Sequence, residues 1–344
     1  MRHVALFDVR HRVLLAITMG WLATACADNA ASAPAAQLTQ TDPHASATAS
    51  PEIPDVTVTP PTPPTDQELA GDSLNRFVVH HATVHYDNTG TTRNLARWRG
   101  GMQSICPLTV GLDPGYNTFV TARIRAVAAY VGAPVQSGLQ CKDNVRILFT
   151  TDPESAMKNV MEWASVSFRA GGWYAKNWRL IEFKGDHAIQ GWYMTTRGGA
   201  RVLNTDMALV GIDLLPVWPE ITQNYVGINA TGTRLGGGSG SGIGIGTVIL
   251  IVDTTKAVGY TIGTIADYLA MLTLSMVQSP DYCDLLPSIL DLMSSSCGGR
   301  EMPTAITAGD LAFLKALYYL NTGLGPSLSR DDIQDNMMRQ FKRR

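Results

Sequence analysis

Charge is scarce in this 344-residue chain: 16% of it is Asp, Glu, Lys or Arg, with 27 basic and 29 acidic residues for a formal net charge of −2. Nothing in that balance points to nucleic acid as a partner, and the closing "FKRR", with three basic residues, is placed to complement the end of a helix or to be solvated. Motifs of catalysis are missing as well. There is no G-x-S-x-G elbow for a serine nucleophile and no C-x-x-C spacing for a zinc ribbon. The glycine-rich stretch Gly236–Gly246 lacks the Lys-Ser/Thr of a phosphate loop and leads into a strand instead of a helix, so it reads as a flexible connection. Between Ala27 and Glu68 the chain has no aromatic residue, and a segment of Ala, Ser, Thr and Pro cannot bury enough apolar surface to fold alone. What the chain does have is 45% hydrophobic residues overall, the profile of a core builder.

The N-terminus carries an export pattern. Arg2, Arg10 and Arg12 precede the apolar run "VLLAITMGWLATA", which ends in Ala23-Thr24-Ala25 before Cys26. The run is shorter than the ~20 apolar residues of a transmembrane helix. "LATAC" resembles the lipobox of bacterial lipoproteins, in which the cysteine is lipidated and becomes the first residue. The lipobox prefers Leu where this chain has Ala23, and ordinary signal-peptidase cleavage at the same site is the alternative. The resemblance implies a membrane anchor at Cys26, and Ala27 in place of an Asp implies the outer membrane. Loss of residues 1–25 leaves 24 basic and 28 acidic residues. Residues 26–68 read as a disordered, Pro-stiffened tether and 69–344 as one extracytoplasmic domain.

Five cysteines resolve into Cys26 and four others, an even set suited to an oxidising compartment. Of three possible pairings, Cys106 with Cys141 and Cys283 with Cys297 close the shortest loops. A zinc site built from all four is the rival.

Along the domain, "RFVVHHATVHYD", "SICPLTVGL", "NVRILFTT", "WRLIEF", "AIQGWYMTTR" and "TVILIVD" predict strands. Helices are expected over "YNTFVTARIRAVAAYVG", from "TDPESAM", and over "TIGTIADYLAMLTLSMV". "DLLPSILDLM", "TAGDLAFLKALYYL", opened by Thr307 with Asp310 three residues on, and "SRDDIQDNMMRQFKRR", opened by Ser329, complete the set. This order predicts an α+β fold: a mixed sheet with packing helices, then a helical C-terminal subdomain from about residue 261.

If "RFVVHHATVHYD" is a strand, His81 and His85 share a face but sit ~13 Å apart, too far for one ion, and His80 faces the other way. His187 reads as a turn residue. The helix after "TVILIVD", with "PSILDLM" and "ITAGDLAFLKALY" behind it, resembles the active-site region of zincin metallopeptidases. That resemblance implies a zincin-like fold. The H-E-x-x-H itself is absent: Asp267 and Met271 stand at the two histidine positions, Tyr268 at the glutamate and Val277 at the third ligand. One carboxylate cannot replace such a set, so neither catalytic residue, metal nor cofactor is assigned, and Ile262, Ile265, Leu269, Leu272 and Met276 read as a core stripe. The expected function is a non-enzymatic envelope protein that binds a protein or envelope polymer through Trp173, Tyr174, Trp178, Trp192 and Tyr193. The alternative is an extracytoplasmic hydrolase whose site assembles Asp267, His187 and the segment from His80 to His85.

Overall fold

A computed structural model of the chain describes residues 56–86, 93–100, 104–137, 141, 143–158, 178–180, 187–197, 243–277, 280–294, 297–319 and 328–343. The chain divides between Ser50 and Pro51, and every described residue belongs to the unit Pro51–Arg344.

Short runs of β-branched residues form a five-stranded mixed sheet. Its strands are β3 (Pro107–Val110), β4 (Val145–Thr150), β5 (Trp178–Leu180), β6 (Ile189–Arg197) and β7 (Ile243–Asp253), in the spatial order β3-β4-β7-β6-β5. β3, β4 and β7 run parallel, with Pro107 opposite Val145 and Val145 opposite Val248. β6 lies antiparallel to β7, Ile189 opposite Val252, and β5 antiparallel to β6. The central parallel strands, β4 and β7, are buried on both faces: Val145, Ile147, Val248, Leu250 and Val252 are fully buried, and Leu148, Ile249 and Ile251 nearly so. A two-stranded ribbon, β1 (Val84–Tyr86) and β2 (Arg93–Leu95), stands apart from the sheet.

Helix α2 (Pro114–Tyr130) follows β3 through Gly111, whose φ of +98° and approach to the Phe149 carbonyl leave no room for a side chain; an added Cβ would sit 2.0 Å from that oxygen. Phe119, Ile124, Val127 and Val131 are buried, as their spacing predicts. Helix α3 (Ile262–Leu274), after β7, packs on α2. The expected stripe is there, but every residue from Thr264 to Leu274 is buried, so α3 is a central helix with no solvent face.

A helix buried at its C-terminus must satisfy four carbonyls without water. Here the Met271 carbonyl accepts from the Ser275 backbone N–H and hydroxyl, Leu272 from the Tyr193 hydroxyl at 2.7 Å, Thr273 from the Trp98 indole at 2.8 Å and Leu274 from the Tyr318 hydroxyl at 2.6 Å. Three aromatic side chains from three other parts of the chain thus fix where α3 ends.

The rest is helical. A short 3-10 helix, Ile289–Met293, opens with a capping box between Ser288 and Asp291. Helix α4 (Ala308–Tyr318) carries the expected box of Thr307 and Asp310, and α5 (Arg330–Lys342) is opened by Ser329 and Asp332. The helical start expected at "TDPESAM" is also present from residue 153. Both local disulfides form, Cys106–Cys141 with Cα atoms 5.9 Å apart and Cys283–Cys297 at 5.3 Å, which excludes a four-cysteine zinc site and suits an oxidising, extracytoplasmic environment. No described helix is long and apolar enough to cross a membrane.

Four expectations are corrected. The first half of "RFVVHHATVHYD" is helical: α1 (Ser73–His81) buries Leu74, Phe77, Val78 and His81, an i, i+3, i+4, i+7 spacing that packing rewards over the β-propensity of Phe and Val. Only Val84–Tyr86 is strand. The glycine-rich connection ends earlier than expected, because Ile243 and Ile245 alternate with glycine and β7 begins at Ile243. "DLLPSILDLM" gives a single 3-10 segment of 5 residues instead of an α-helix. The folded unit also starts before residue 69: Val56 and Val58 pack against the core, and Thr65 and Glu68 close a turn on each other. The tether expected from residue 26 otherwise lies outside the described residues, as does Cys26.

Candidate functional site

Asp267 stands where the zincin resemblance places its first metal ligand, one turn into α3. It is 2% exposed, and an isolated carboxylate there would be untenable. Its partner is Arg123 of α2, itself 8% exposed: Nε donates to Oδ1 at 2.7 Å and Nη2 to Oδ2 at 3.1 Å. The Ile306 backbone N–H donates to Oδ2 at 2.9 Å. The remaining guanidinium nitrogen, Nη1, reaches the carbonyls of Val56 at 3.0 Å and Thr57 at 2.6 Å. Both carboxylate oxygens are therefore engaged, and the group is a structural junction of α2, α3, the loop before α4 and the segment at 56–57. Tyr268, Met271 and Val277, at the other motif positions, are buried in the core.

Among the described residues, His80, His81 and His187 do not converge with Asp267 on one ion. His81 is inside, stacked on Phe77 at 4.1 Å between ring centroids, with Nδ1 2.7 Å from the Phe77 carbonyl. Burial pushes its pKa down, against the nearby charge of Asp310. His80 faces outward, stacked on Tyr282 at 3.8 Å and paired with Asp284 at 2.7 Å. The His85 side chain lies outside what is described. The strand geometry assumed for His80, His81 and His85 is thus replaced by the end of a helix and a separate strand.

His187 is more than a turn residue. It is buried beside the first residue of β6, and its Nδ1 accepts from the Ile189 backbone N–H at 3.2 Å, which leaves the proton of the neutral ring on Nε2. Burial lowers its pKa, opposed by the charge of Asp281. The Tyr268 ring lies 6.3 Å from the imidazole. The Tyr268 hydroxyl is fully buried with no hydrogen-bond partner among the described residues, and burial, with Asp281 next, raises its pKa well above the ordinary value. His187, Tyr268 and Asp281 thus form a buried polar cluster near the carboxyl end of β7, the end at which open α/β sheets place ligands.

A second buried network holds the helical part together. Asp310 accepts from the Ser288 hydroxyl at 2.6 Å, the Ile289 N–H at 2.8 Å and the Thr307 N–H at 3.0 Å. One carboxylate therefore caps its own helix and the preceding 3-10 helix together. Burial pushes Asp291 up to about 7, with the charge of Asp310 adding to the effect and the Ser288 N–H opposing it. Asp291 also lies within 4.8 Å of the sulfurs of Cys283 and Cys297, but those sulfurs are bonded to each other, and one carboxylate is no ligand set.

The aromatics expected at a binding surface divide. Tyr193 is fully buried and closes the end of α3, and Trp192 is 7% exposed, so neither offers a free surface. Trp178, in β5, pairs through its backbone with Met194 of β6, its side chain outside what is described, and Trp173 and Tyr174 lie outside the described residues. Sequence reasoning passed over Arg123, although a signal was present: an arginine one turn after Phe119 on the apolar side of α2 requires a buried partner. Asp281 and Ser288 carried no comparable signal.

Compared with known proteins, the chain matches no family model, and neither a curated protein nor a solved structure matches it.

Proposed function

We propose that the chain is a non-enzymatic, extracytoplasmic binding protein of the bacterial envelope, anchored at the outer membrane through a lipidated Cys26, with a domain that is a degenerate relative of the zincin fold. The observation that carries this reading is the engagement of Asp267. The one carboxylate in the metal-ligand register of α3 is held on both oxygens by Arg123 and Ile306, so no water-activating ion has a place on it. Two disulfides support export, and the Ala-Thr-Ala-Cys pattern supports the anchor. The ligand is a protein or an envelope polymer.

The test has two arms on the full chain expressed with its signal. Labelling with an alkyne fatty acid should mark the wild type and not Cys26→Ala. Mass-spectrometric metal analysis with and without chelator should find no stoichiometric transition metal. Stoichiometric zinc would overturn the non-enzymatic reading, and an unlabelled, soluble wild type would overturn the anchor.

A second reading, a hydrolase with a non-standard site, is favoured by the cluster of His187, Tyr268 and Asp281. Its mark would be turnover of peptide or ester substrates that is lost in both His187→Gln and Tyr268→Phe.

A further inference from the structure

Residues 56–64, "VTVTPPTPP", lie at the point where the chain enters the folded unit and carry no charged side chain. Their half-buried positions are Val56, Val58, Pro61 and Pro64, with Thr57, Thr59, Pro60, Thr62 and Pro63 exposed. The spacing of inward residues is two, then three. Two is the repeat of an extended strand and three that of polyproline II, so the sequence is read by the surface beneath it in the register of an extended peptide. Val56 and Val58 pack against the main core. The backbone is held independently of those side chains: Arg123 Nη1 donates to the Val56 and Thr57 carbonyls at 3.0 and 2.6 Å.

Arg123 can do this because Asp267 fixes its plane. Two of its nitrogens are committed to the carboxylate, which leaves the third aimed outward at the carbonyls with little rotamer freedom to lose. Backbone capture by a preset donor, with alternate side chains seated in apolar depressions, is how extended peptides are recognised by protein surfaces.

We propose that the surface around Arg123 on α2 is a recognition site for an extended, uncharged segment of a partner protein, with two β-branched residues at alternate positions followed by prolines three apart. Residues 56–64 occupy it in cis as a displaceable stand-in. This deepens, and rests on, the reading of the chain as a binding protein. It also names the ligand chemistry, which the aromatic residues could not supply. A cis segment competes at an effective concentration in the millimolar range, so a partner binding with a Kd of about 100 μM would find its affinity reduced roughly tenfold until the segment is released.

The probe is a fluorescein-labelled peptide, VTVTPPTPPT, titrated by anisotropy against the full chain and against the full chain carrying Val56→Asp and Val58→Asp. The expected result is binding to the doubly substituted chain about tenfold tighter than to the wild type. A peptide with both valines replaced by Asp should not bind either chain. Arg123→Lys in the doubly substituted chain keeps a cation for Asp267 but loses the fork, and should weaken binding by about fivefold or more. No binding by a doubly substituted chain with wild-type circular dichroism would overturn the proposal, as would equal binding of the Asp-substituted peptide. Independently of any variant, millimolar peptide should speed amide exchange at Val56–Thr59 in the wild type, and unchanged exchange would overturn it. A concentration-dependent wild-type dimer abolished by the valine substitutions would overturn it in favour of segment exchange between copies. None of these readouts depends on acylation or metal content, so this proposal and the anchored binding-protein reading can fail separately.

Discussion

Removing one member of the Arg123–Asp267 pair should cost far more than removing both. In Asp267→Leu the guanidinium keeps two carbonyl partners but loses its counter-ion at a site 8% exposed; in Arg123→Met the carboxylate keeps only the Ile306 N–H at a site 2% exposed. Leaving a buried charge uncompensated costs about 3–5 kcal/mol in either case. The double replacement removes both charges and fills the space with apolar atoms. It forgoes the hydrogen bonds to the Val56 and Thr57 carbonyls and from the Ile306 N–H, roughly 1 kcal/mol each, so its cost should be about 3 kcal/mol, well below the 6–10 kcal/mol or so of additive singles. Urea denaturation of the full chain at pH 7, followed by circular dichroism, reads this directly. With a slope of about 3 kcal/mol per molar, each single variant should lower the midpoint by ~1 M or more. A single-variant loss below about 1 kcal/mol, or a double variant equal to the sum of the singles, would refute the assignment of Asp267 as a buried structural junction.

Tyr193→Phe leaves the Leu272 carbonyl unsatisfied in the core and should cost about 1–3 kcal/mol by the same urea assay, whereas a surface tyrosine would cost nothing measurable. Asp291 has a folded pKa raised to about 7 from an ordinary 3.8, so the folded state holds the proton more tightly. Its contribution is fully present below pH ~4 and is lost as pH rises through ~7. Asn at this position keeps the oxygen that caps Ser288 and removes the titration, so the stability difference between wild type and Asp291→Asn should shift against the wild type between pH 4 and 8; a flat difference would contradict this. Replacing Cys283 and Cys297 by Ser opens a loop with a sequence separation of 14 and should cost about 3 kcal/mol, with non-reducing peptide mapping of the wild type showing the 283–297 link.

The elements legible along the chain were those whose signal is local. α2 and α4 announced themselves through apolar spacing and a capping box, and the two disulfides through proximity in sequence. α1 was misread because Phe and Val favour strands when nothing else is considered, while the i, i+3, i+4, i+7 spacing of Leu74, Phe77, Val78 and His81 matters only once α4 and its Phe313 are there to pack against. The start of β7 was missed because glycine suggests a loop, until a neighbouring strand supplies partners for Ile243 and Ile245. The candidate sites were less legible still. Asp267 could be placed on a motif register, but its use could not be read, because Arg123 lies 144 residues away and Val56 precedes what composition marks as the folded part.

Composition and short-range pattern, by themselves, determined that this chain has a cysteine set suited to an oxidising compartment, a mixed set of strands and helices, and no zinc-peptidase motif on its central helix. Tertiary structure alone decided which charges are buried together, which aromatics close the end of α3, and that the entering segment is held by an arginine. The reason is physical: propensity, capping and alternation act over a few residues, whereas the desolvation that forces Arg123 onto Asp267, and Tyr193 onto a bare carbonyl, exists only after distant segments have excluded water together.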